Sequence, residues 1–300
     1  MVDKPATTTG LIVAAHGQRG ILECESGETR RYVIKGRRLR AVCGDRVAWT
    51  AQKHGDTVLL TDILQRNNVL QRQASNRNEP EVLAANLSCV AVVFAPVPTP
   101  DWFLIDRYLC TAELMGCRAL LVGNKNDLEF DRDADRQEIR QYRRLEYPVL
   151  SVSATRDESV QQLAEAMKTE TGILVGQSGV GKSSLINRLV PDAGITVGAI
   201  SAATSEGTHT TTASAMHALP GGGRLIDTPG VRDFIPFIPD AASVQSGFPE
   251  IIAAANGCRF SNCQHLREPD CAVKANRDLG RISARRYEAY KRLLRGSYSS

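Results

Sequence analysis

Between residues 10 and 66, apolar residues come in short runs, "GLIVAA", "GILEC", "RRYVIK", "DRVAWTA" and "TVLLTDIL", separated by glycine-containing turns at close spacing. Five short β-like segments with tight turns predict a small closed barrel. The OB-fold is the usual barrel of this size, and an SH3-like barrel is the alternative that periodicity does not separate. The next stretch, "RNNVLQRQASNRNEPE" at 66–81, is polar, carries Asn, Ser and Pro, and lacks apolar periodicity, which predicts a linker over 67–82. Beyond it the pattern changes. "LSCVAVVFA" (87–95) is a near-continuous apolar run, as expected of a parallel strand covered on both faces. A helical stretch over 101–115 follows, then strand 117–123, a charged helix over 133–145, strand 149–154, helix 157–168 and strand 172–176. That alternation predicts a doubly wound α/β domain. From about residue 240 it gives way to a cysteine cluster and a basic helical tail, and no repeat of solenoid period is present.

Length and composition refine this outline. Three hundred residues exceed one typical core and suggest two or three domains. With 42% hydrophobic and 23% charged residues the chain has the composition of a globular protein. The start, "MVDKPATTTGLIVAA", has an apolar run too short for a signal-peptide core, and no run approaches the roughly 18 apolar residues of a membrane span. A cytoplasmic protein without membrane association is expected. In that compartment the eight cysteines argue against disulfides; five are scattered, and Cys258, Cys263 and Cys271 cluster near the end. The formal net charge of +4 is mild, but "TRRYVIKGRRLR" holds six basic residues in twelve.

The chemistry lies in four short motifs. "GQSGVGKS" fits G-x-x-x-x-G-K-[ST] after an apolar strand and before the helical "KSSLINRLV". Backbone N–H groups of Gly176, Gln177, Ser178, Gly179, Val180, Gly181 and the following Ser184 would face phosphates, Lys182 would lie against the β- and γ-phosphates, and the Ser183 hydroxyl would bind Mg²⁺. "NKND", Asn124, Lys125, Asn126 and Asp127, directly follows a predicted strand. Asp127 can accept hydrogen bonds from N1–H and the 2-amino group of guanine, an arrangement that adenine lacks. "SAT" at 153–155 would add contact to the base through Ser153 and Ala154. "LIDTPG" supplies Asp227 as a carboxylate behind the Mg²⁺ and Gly230 as a donor to the γ-phosphate. The Gly/Ser/Thr-rich "SEGTHTTT" (205–212) lies between, and one of Thr210, Thr211 or Thr212 is expected on the metal.

In an ordinary G domain the phosphate loop precedes the guanine reader; here the order is reversed. If the four elements form a ring, this chain enters it at a later strand, with 155–171 joining the usual chain ends. Each element should still sit at the C-terminal end of a parallel strand. With "GDRV" in the barrel, "NKND", "GQSGVGKSSL", "GTHTTT", "DTPGV" and a C-terminal Cys/His cluster, the sequence resembles the RsgA (YjeQ) family of circularly permuted GTPases over almost its whole length. The resemblance implies GTP hydrolysis stimulated by the small (30S) ribosomal subunit and a role in its late maturation. The expected architecture is multidomain: an N-terminal OB-fold β-barrel over 1–66, the linker, a central circularly permuted P-loop GTPase α/β domain over 83–238, and a C-terminal zinc-binding α-rich domain over 239–300.

Where many GTPases carry a water-orienting Gln after D-x-x-G, this chain has Val231, which cannot hydrogen-bond. His209 is the candidate to orient or deprotonate the water, and the resembled family has a His at this motif position. "CRFSNCQHLREPDC" places Cys258, Cys263, His265 and Cys271 at C-x₄-C-x-H-x₅-C, the donor set of one closed, structural Zn²⁺ site. Because "DTPGVRDF" runs directly into that module, a γ-phosphate-dependent shift could reorient it. Arg30, Arg31, Lys35, Arg37, Arg38 and Arg40 are the expected rRNA contacts; stacking residues are sparse there, with Tyr32 and Trp49 available, so backbone and shape recognition is expected over base reading. The expected partners are GTP/GDP and the small subunit with its 16S rRNA, engaged by a monomer. A GTP-dependent rRNA-binding adaptor with negligible hydrolysis is the alternative that Val231 permits; an ATP-dependent zinc enzyme conflicts with Asp127.

Overall fold

A computed structural model of the chain describes residues 8–36, 38–52, 56–73, 79–130, 132–191, 214–228, 235–238, 240 and 242–296. Strands β1 (Thr8–His16), β2 (Arg19–Cys24), β3 (Thr29–Val33), β4 (Arg46–Ala51) and β5 (Val58–Ile63) pair in the order β1-β2-β3-β5-β4, and β4 closes on β1. β3 and β5 run parallel and the other pairs antiparallel, the topology of an OB-fold rather than an SH3-like barrel. Ile12, Leu22, Tyr32, Val47, Trp49, Val58 and Leu60 fill the interior. Tyr32 and Trp49 are therefore core residues, 1% and 7% exposed. The pleat points both rings inward, so neither is available to stack on RNA.

The central domain follows the predicted alternation. Its sheet has the order β10 (Val149–Ser151), β9 (Arg118–Gly123), β8 (Cys89–Phe94), β11 (Thr171–Gly176), β13 (Arg224–Asp227), β12 (Ser214–Ala218). All but β12 are parallel. β8 is buried at every position because helices cover both faces. Val90, Val92 and Phe94 pack toward α1 (Trp102–Leu114) and α2 (Asp133–Arg144), whereas Cys89, Ala91 and Val93 pack toward α3 (Asp157–Ala166) and α4 (Lys182–Leu189). β12 departs from the expectation that every site element ends a parallel strand. It runs antiparallel to β13, with Ala215 opposite Asp227, so its N-terminal end lies at the sheet edge where the parallel strands end.

β12 also carries the barrel. Its free edge pairs antiparallel with β1, Ala14 opposite Ala215 and Ala15 opposite Ser214, so sheet and barrel form one continuous eleven-stranded system. Arg224 on β13 adds an ion pair with Glu23 on β2 at 2.6 Å.

The stretch expected as a linker contains structure. β6 (Val69–Arg72) pairs antiparallel with β7 (Glu81–Ala85), and Leu70 and Leu83 enter the main core. Two apolar residues in a row gave no periodicity to read, and the asparagines taken as loop signals are backbone staples. Asn68 both donates to the Leu87 carbonyl (2.8 Å) and accepts from its N–H (3.0 Å), and Asn86 accepts from Asn67 N–H and donates to the Gly44 carbonyl, each at 2.8 Å.

The C-terminal module holds a 3₁₀ turn (Ser243–Gly247) and helices α5 (Pro249–Ala255), α6 (Ala272–Asp278) and α7 (Ala284–Leu294). Its core, with Phe248, Ile251, Tyr287 and Tyr290 among its residues, is shared with the α/β domain, since Cys110, Phe103 and Leu114 of α1 pack into it. An ionic network crosses the same seam. Arg286 forks onto Glu250 at 2.5 and 2.9 Å and donates to Asp106 at 2.8 Å; Arg285 pairs with the other Asp106 oxygen and with Glu138 at 2.9 Å. Tyr142 donates to Asp106 at 2.7 Å and accepts from Arg285 at 3.0 Å.

Candidate nucleotide site and metal cluster

The loops after β8, β9, β10, β11 and β13 all emerge at the C-terminal edge of the sheet, where backbone groups no longer paired in the ladder are free to meet a ligand. Gly176 ends β11 at φ +143°, and a Cβ there would lie 2.1 Å from the Val93 carbonyl oxygen, so only glycine lets the chain turn beside β8. Gly181 caps α4 at φ +94° with no side-chain cap bond, leaving the first N–H groups of α4 directed at the loop. Lys182 is 4% exposed, and its ammonium donates to the carbonyls of Gly176 and Gln177 at 2.7 Å each. Ser178, Gly179 and Ser184 are exposed, Gln177 and Ser183 half-buried, and Val180 buried.

Asn124 joins this loop to the two beside it. Only 2% exposed, it donates from Nδ2 to the Val180 carbonyl at 2.8 Å and accepts the Ala154 N–H at 3.2 Å. Lys125 reaches over the same loop, donating to the carbonyls of Val97 (2.7 Å) and Gly179 (2.8 Å), and the Asn126 N–H bonds the Val152 carbonyl at 3.0 Å. Asp127 is exposed, with one carboxylate oxygen accepting the buried Ser153 hydroxyl at 2.7 Å. That hydroxyl, then the residue's own N–H, holds the Asp127 carboxyl below the usual carboxylate range, so it stays an anionic acceptor. Such an arrangement can accept two N–H donors from a planar base beside a nest of phosphate-directed N–H groups.

Asp227 ends β13, with Ile226 in register with Ile173 of β11, three residues before the phosphate loop begins. The hydroxyl of buried Thr228 has no hydrogen-bond partner among the described residues. His209, Thr210, Thr211, Thr212, Gly230, Val231 and Arg37 lie outside the described residues. On the barrel, Arg31, Lys35, Arg38 and Arg40 are exposed, while Arg30 is half-buried, paired with Glu28 at 3.2 Å and placed 5.6 Å over the Trp49 ring.

Two contacts escaped sequence reasoning. The Gln177 side chain accepts the N–H of Asp101 at 3.1 Å, and Asp101 caps α1 by accepting from Phe103 and Leu104. The acidic residue after Pro100 was a legible cap signal, but its partner 76 positions away was not. The Ser153 hydroxyl on Asp127 was equally invisible, since the motif in that loop predicts contact with the base itself.

The four residues of the predicted metal site come together, with all ligand atoms within 4.8 Å of one another. Tetrahedral zinc, with bonds of about 2.3 Å to sulfur and about 2.05 Å to nitrogen, requires edges of about 3.8 Å between sulfurs and about 3.5 Å between sulfur and nitrogen. The Cys258–Cys271 sulfurs are 3.9 Å apart, and each lies 3.5 Å from His265 Nδ1. The donor set therefore fits a closed four-coordinate site that takes His265 through Nδ1. Around it, the Tyr287 and Tyr290 hydroxyls donate to the carbonyls of His265 (2.5 Å) and Gln264 (3.0 Å), tying the loop to α7.

A family model described as RsgA GTPase matches residues 63–235. The chain is 40% identical to a small ribosomal subunit biogenesis GTPase RsgA of Azotobacter vinelandii, over 95% of this chain and 84% of that one. It is 41% identical to the RsgA of Pseudomonas fluorescens Pf-5 with the same coverages. Among solved structures it is similar to YjeQ from Thermotoga maritima (TM-score 0.74, 27% identity, 96% of this chain and 98% of that one). It is also similar to YloQ, a circularly permuted GTPase (TM-score 0.71, 25% identity, 99% and 96%).

Proposed function

The chain belongs to the RsgA GTPase family, and from that premise we propose that it hydrolyses GTP to GDP and phosphate while bound to the small ribosomal subunit, assisting the subunit's late maturation. The observation that carries this reading is Asn124, whose buried amide holds the guanine-reading loop, the phosphate loop and the 153–155 loop in one site despite their permuted order. Asp127 accepts the guanine N1–H and 2-amino group, and the Lys125 stem covers the ring. Lys182 and the N–H groups from Gly176 to Ser184 cradle the phosphates. Ser183 and one of Thr210, Thr211 or Thr212 would hold Mg²⁺, with Asp227 behind it, and the ion when bound would supply charge neutralisation at the phosphates. His209 orients the attacking water, since Val231 cannot.

Zn²⁺ in the Cys258, Cys263, His265 and Cys271 cluster shapes the C-terminal surface, and the module contacts 16S rRNA together with the barrel. The exposed Arg31, Lys35, Arg38 and Arg40 meet RNA phosphates, with Arg37 beside them in sequence. No helix among the described residues is long and apolar enough to cross a membrane; the protein acts as a cytoplasmic monomer. Val231 favours one second reading, a GTP-dependent rRNA-binding adaptor with negligible hydrolysis.

Phosphate release by the purified protein, with and without small subunits and beside His209→Ala, separates these readings. A slow basal rate raised by the subunit and lost in the variant is expected. Tight GTP binding without stimulated turnover would select the adaptor.

A further inference from the structure

The loop between the first two cysteines of the metal cluster presents an aromatic ring to solvent. Phe260 is 41% exposed, although it lies between two residues, Cys258 and Cys263, whose sulfurs face the cluster. Its backbone is held: the Cys263 N–H bonds the Phe260 carbonyl at 3.2 Å, and the Arg259 N–H bonds the Asp270 carbonyl at 3.4 Å. The Arg259 guanidinium lies 5.5 Å from the ring centroid and pairs with Asp270 at 3.0 Å. An exposed phenylalanine on a backbone pinned this way costs solubility and contributes nothing to the module's core, which is built from Phe248, Ile251, Tyr287 and Tyr290.

We propose that Arg259 and Phe260 form a stacking platform for one unpaired RNA base, a contact that rests on the rRNA-binding reading of the C-terminal module. A flat ring with a guanidinium beside it offers a nucleobase two surfaces, and stacking of this kind tolerates any base. Charge favours nucleic acid over protein: from 258 to 282 the chain carries five Arg or Lys side chains against three carboxylates. Ser261 and Asn262, exposed in the same turn, add hydrogen-bonding groups for sugar or base edge. Tyr32 and Trp49 of the barrel do not supply this contact, because both are buried.

The test uses the full-length, zinc-loaded protein and fluorescein-labelled oligouridylate, with a duplex RNA as the comparison, read by anisotropy. Phe260→Ala should weaken single-strand binding by about 5- to 150-fold and leave duplex binding unchanged. Phe260→Trp should retain affinity, and the emission of the introduced indole should be quenched on binding, since the native Trp49 and Trp102 are both buried. Zinc content, measured by chelator release, should equal wild type in both variants. Equal single-strand affinity of wild type and Phe260→Ala, or unquenched emission from Phe260→Trp, overturns the proposal. If a barrel variant such as Arg31→Glu weakens binding and Phe260→Ala does not, the rRNA-binding reading stands and the platform falls. Failure of the wild type to bind either RNA overturns both. A loss confined to assembled subunits, with free-RNA binding intact, would assign Phe260 to a ribosomal protein instead.

Discussion

Replacing Arg286 by methionine removes the charge that joins the C-terminal module to the α/β domain while keeping much of the side-chain volume. The guanidinium is 1% exposed and makes three charge-assisted hydrogen bonds, two to Glu250 and one to Asp106. It also lies 5.0 Å from the Phe248 ring centroid and 5.6 Å from that of Tyr142. The two carboxylates fare differently without it. Asp106 keeps Arg285 and the Tyr142 hydroxyl, whereas Glu250 loses both of its bonds to Arg286 while its side chain is only 7% exposed. Breaking a buried pair by removing one partner costs about 3–5 kcal/mol, because the remaining charge stays desolvated. The retained helix N-terminus at Glu250, in the first turn of α5, offsets about 0.3–1 kcal/mol of that. A net loss of about 2–5 kcal/mol is expected at the seam. Urea unfolding followed by the fluorescence of Trp102, which sits on α1, reads the seam, and hydrogen exchange in α5 and α7 localises it. Guanine nucleotide binding should change little, since the hydrogen bonds of Arg286 go to Glu250 and Asp106 and not to the phosphate loop. A loss below about 1 kcal/mol, with unchanged exchange in α5 and α7, would refute the claim that this network carries the module.

Asn124→Ala removes the amide that bonds Val180 and Ala154 and leaves a buried carbonyl unpaired; GDP affinity should fall by about 5- to 150-fold by equilibrium titration, equivalent to about 1–3 kcal/mol. Stripping the metal with a strong chelator should raise hydrogen exchange across 256–272, since the cluster's thiolates and imidazole then lose their common partner, while GDP binding persists. Because β1 is bonded to β12, exchange of a GTP analogue for GDP should alter protection at Ala14 and Ala15 in the barrel; identical protection in both states would disconnect the switch segment from the barrel. The same comparison over 240–296 tests whether the C-terminal module also responds.

Local chemistry was readable along the chain wherever a motif needs its residues in consecutive positions. The G-x-x-x-x-G-K-S loop, the "NKND" run and the C-x₄-C-x-H-x₅-C spacing each place their chemistry within a few consecutive residues, and in the loop Gly176 and Gly181 hold backbone geometry that favours glycine. The α/β alternation was equally legible, because β8 must be apolar at every position when helices cover both faces. What pairs across distance was not. Periodicity marked Tyr32 and Trp49 as aromatic strand residues, but the side of the barrel wall they occupy depends on register. Val69 and Leu70 looked like linker residues until Asn68 and Asn86 closed them onto β7 and the barrel. The bonding of β12 to β1, and the burial of Asp106, Glu250 and Arg286 in one seam, join segments about two hundred residues apart in the first case and up to 180 in the second. A sequence pattern reports how each element divides its faces between core and solvent; which other element covers a face is settled by packing the whole chain at once.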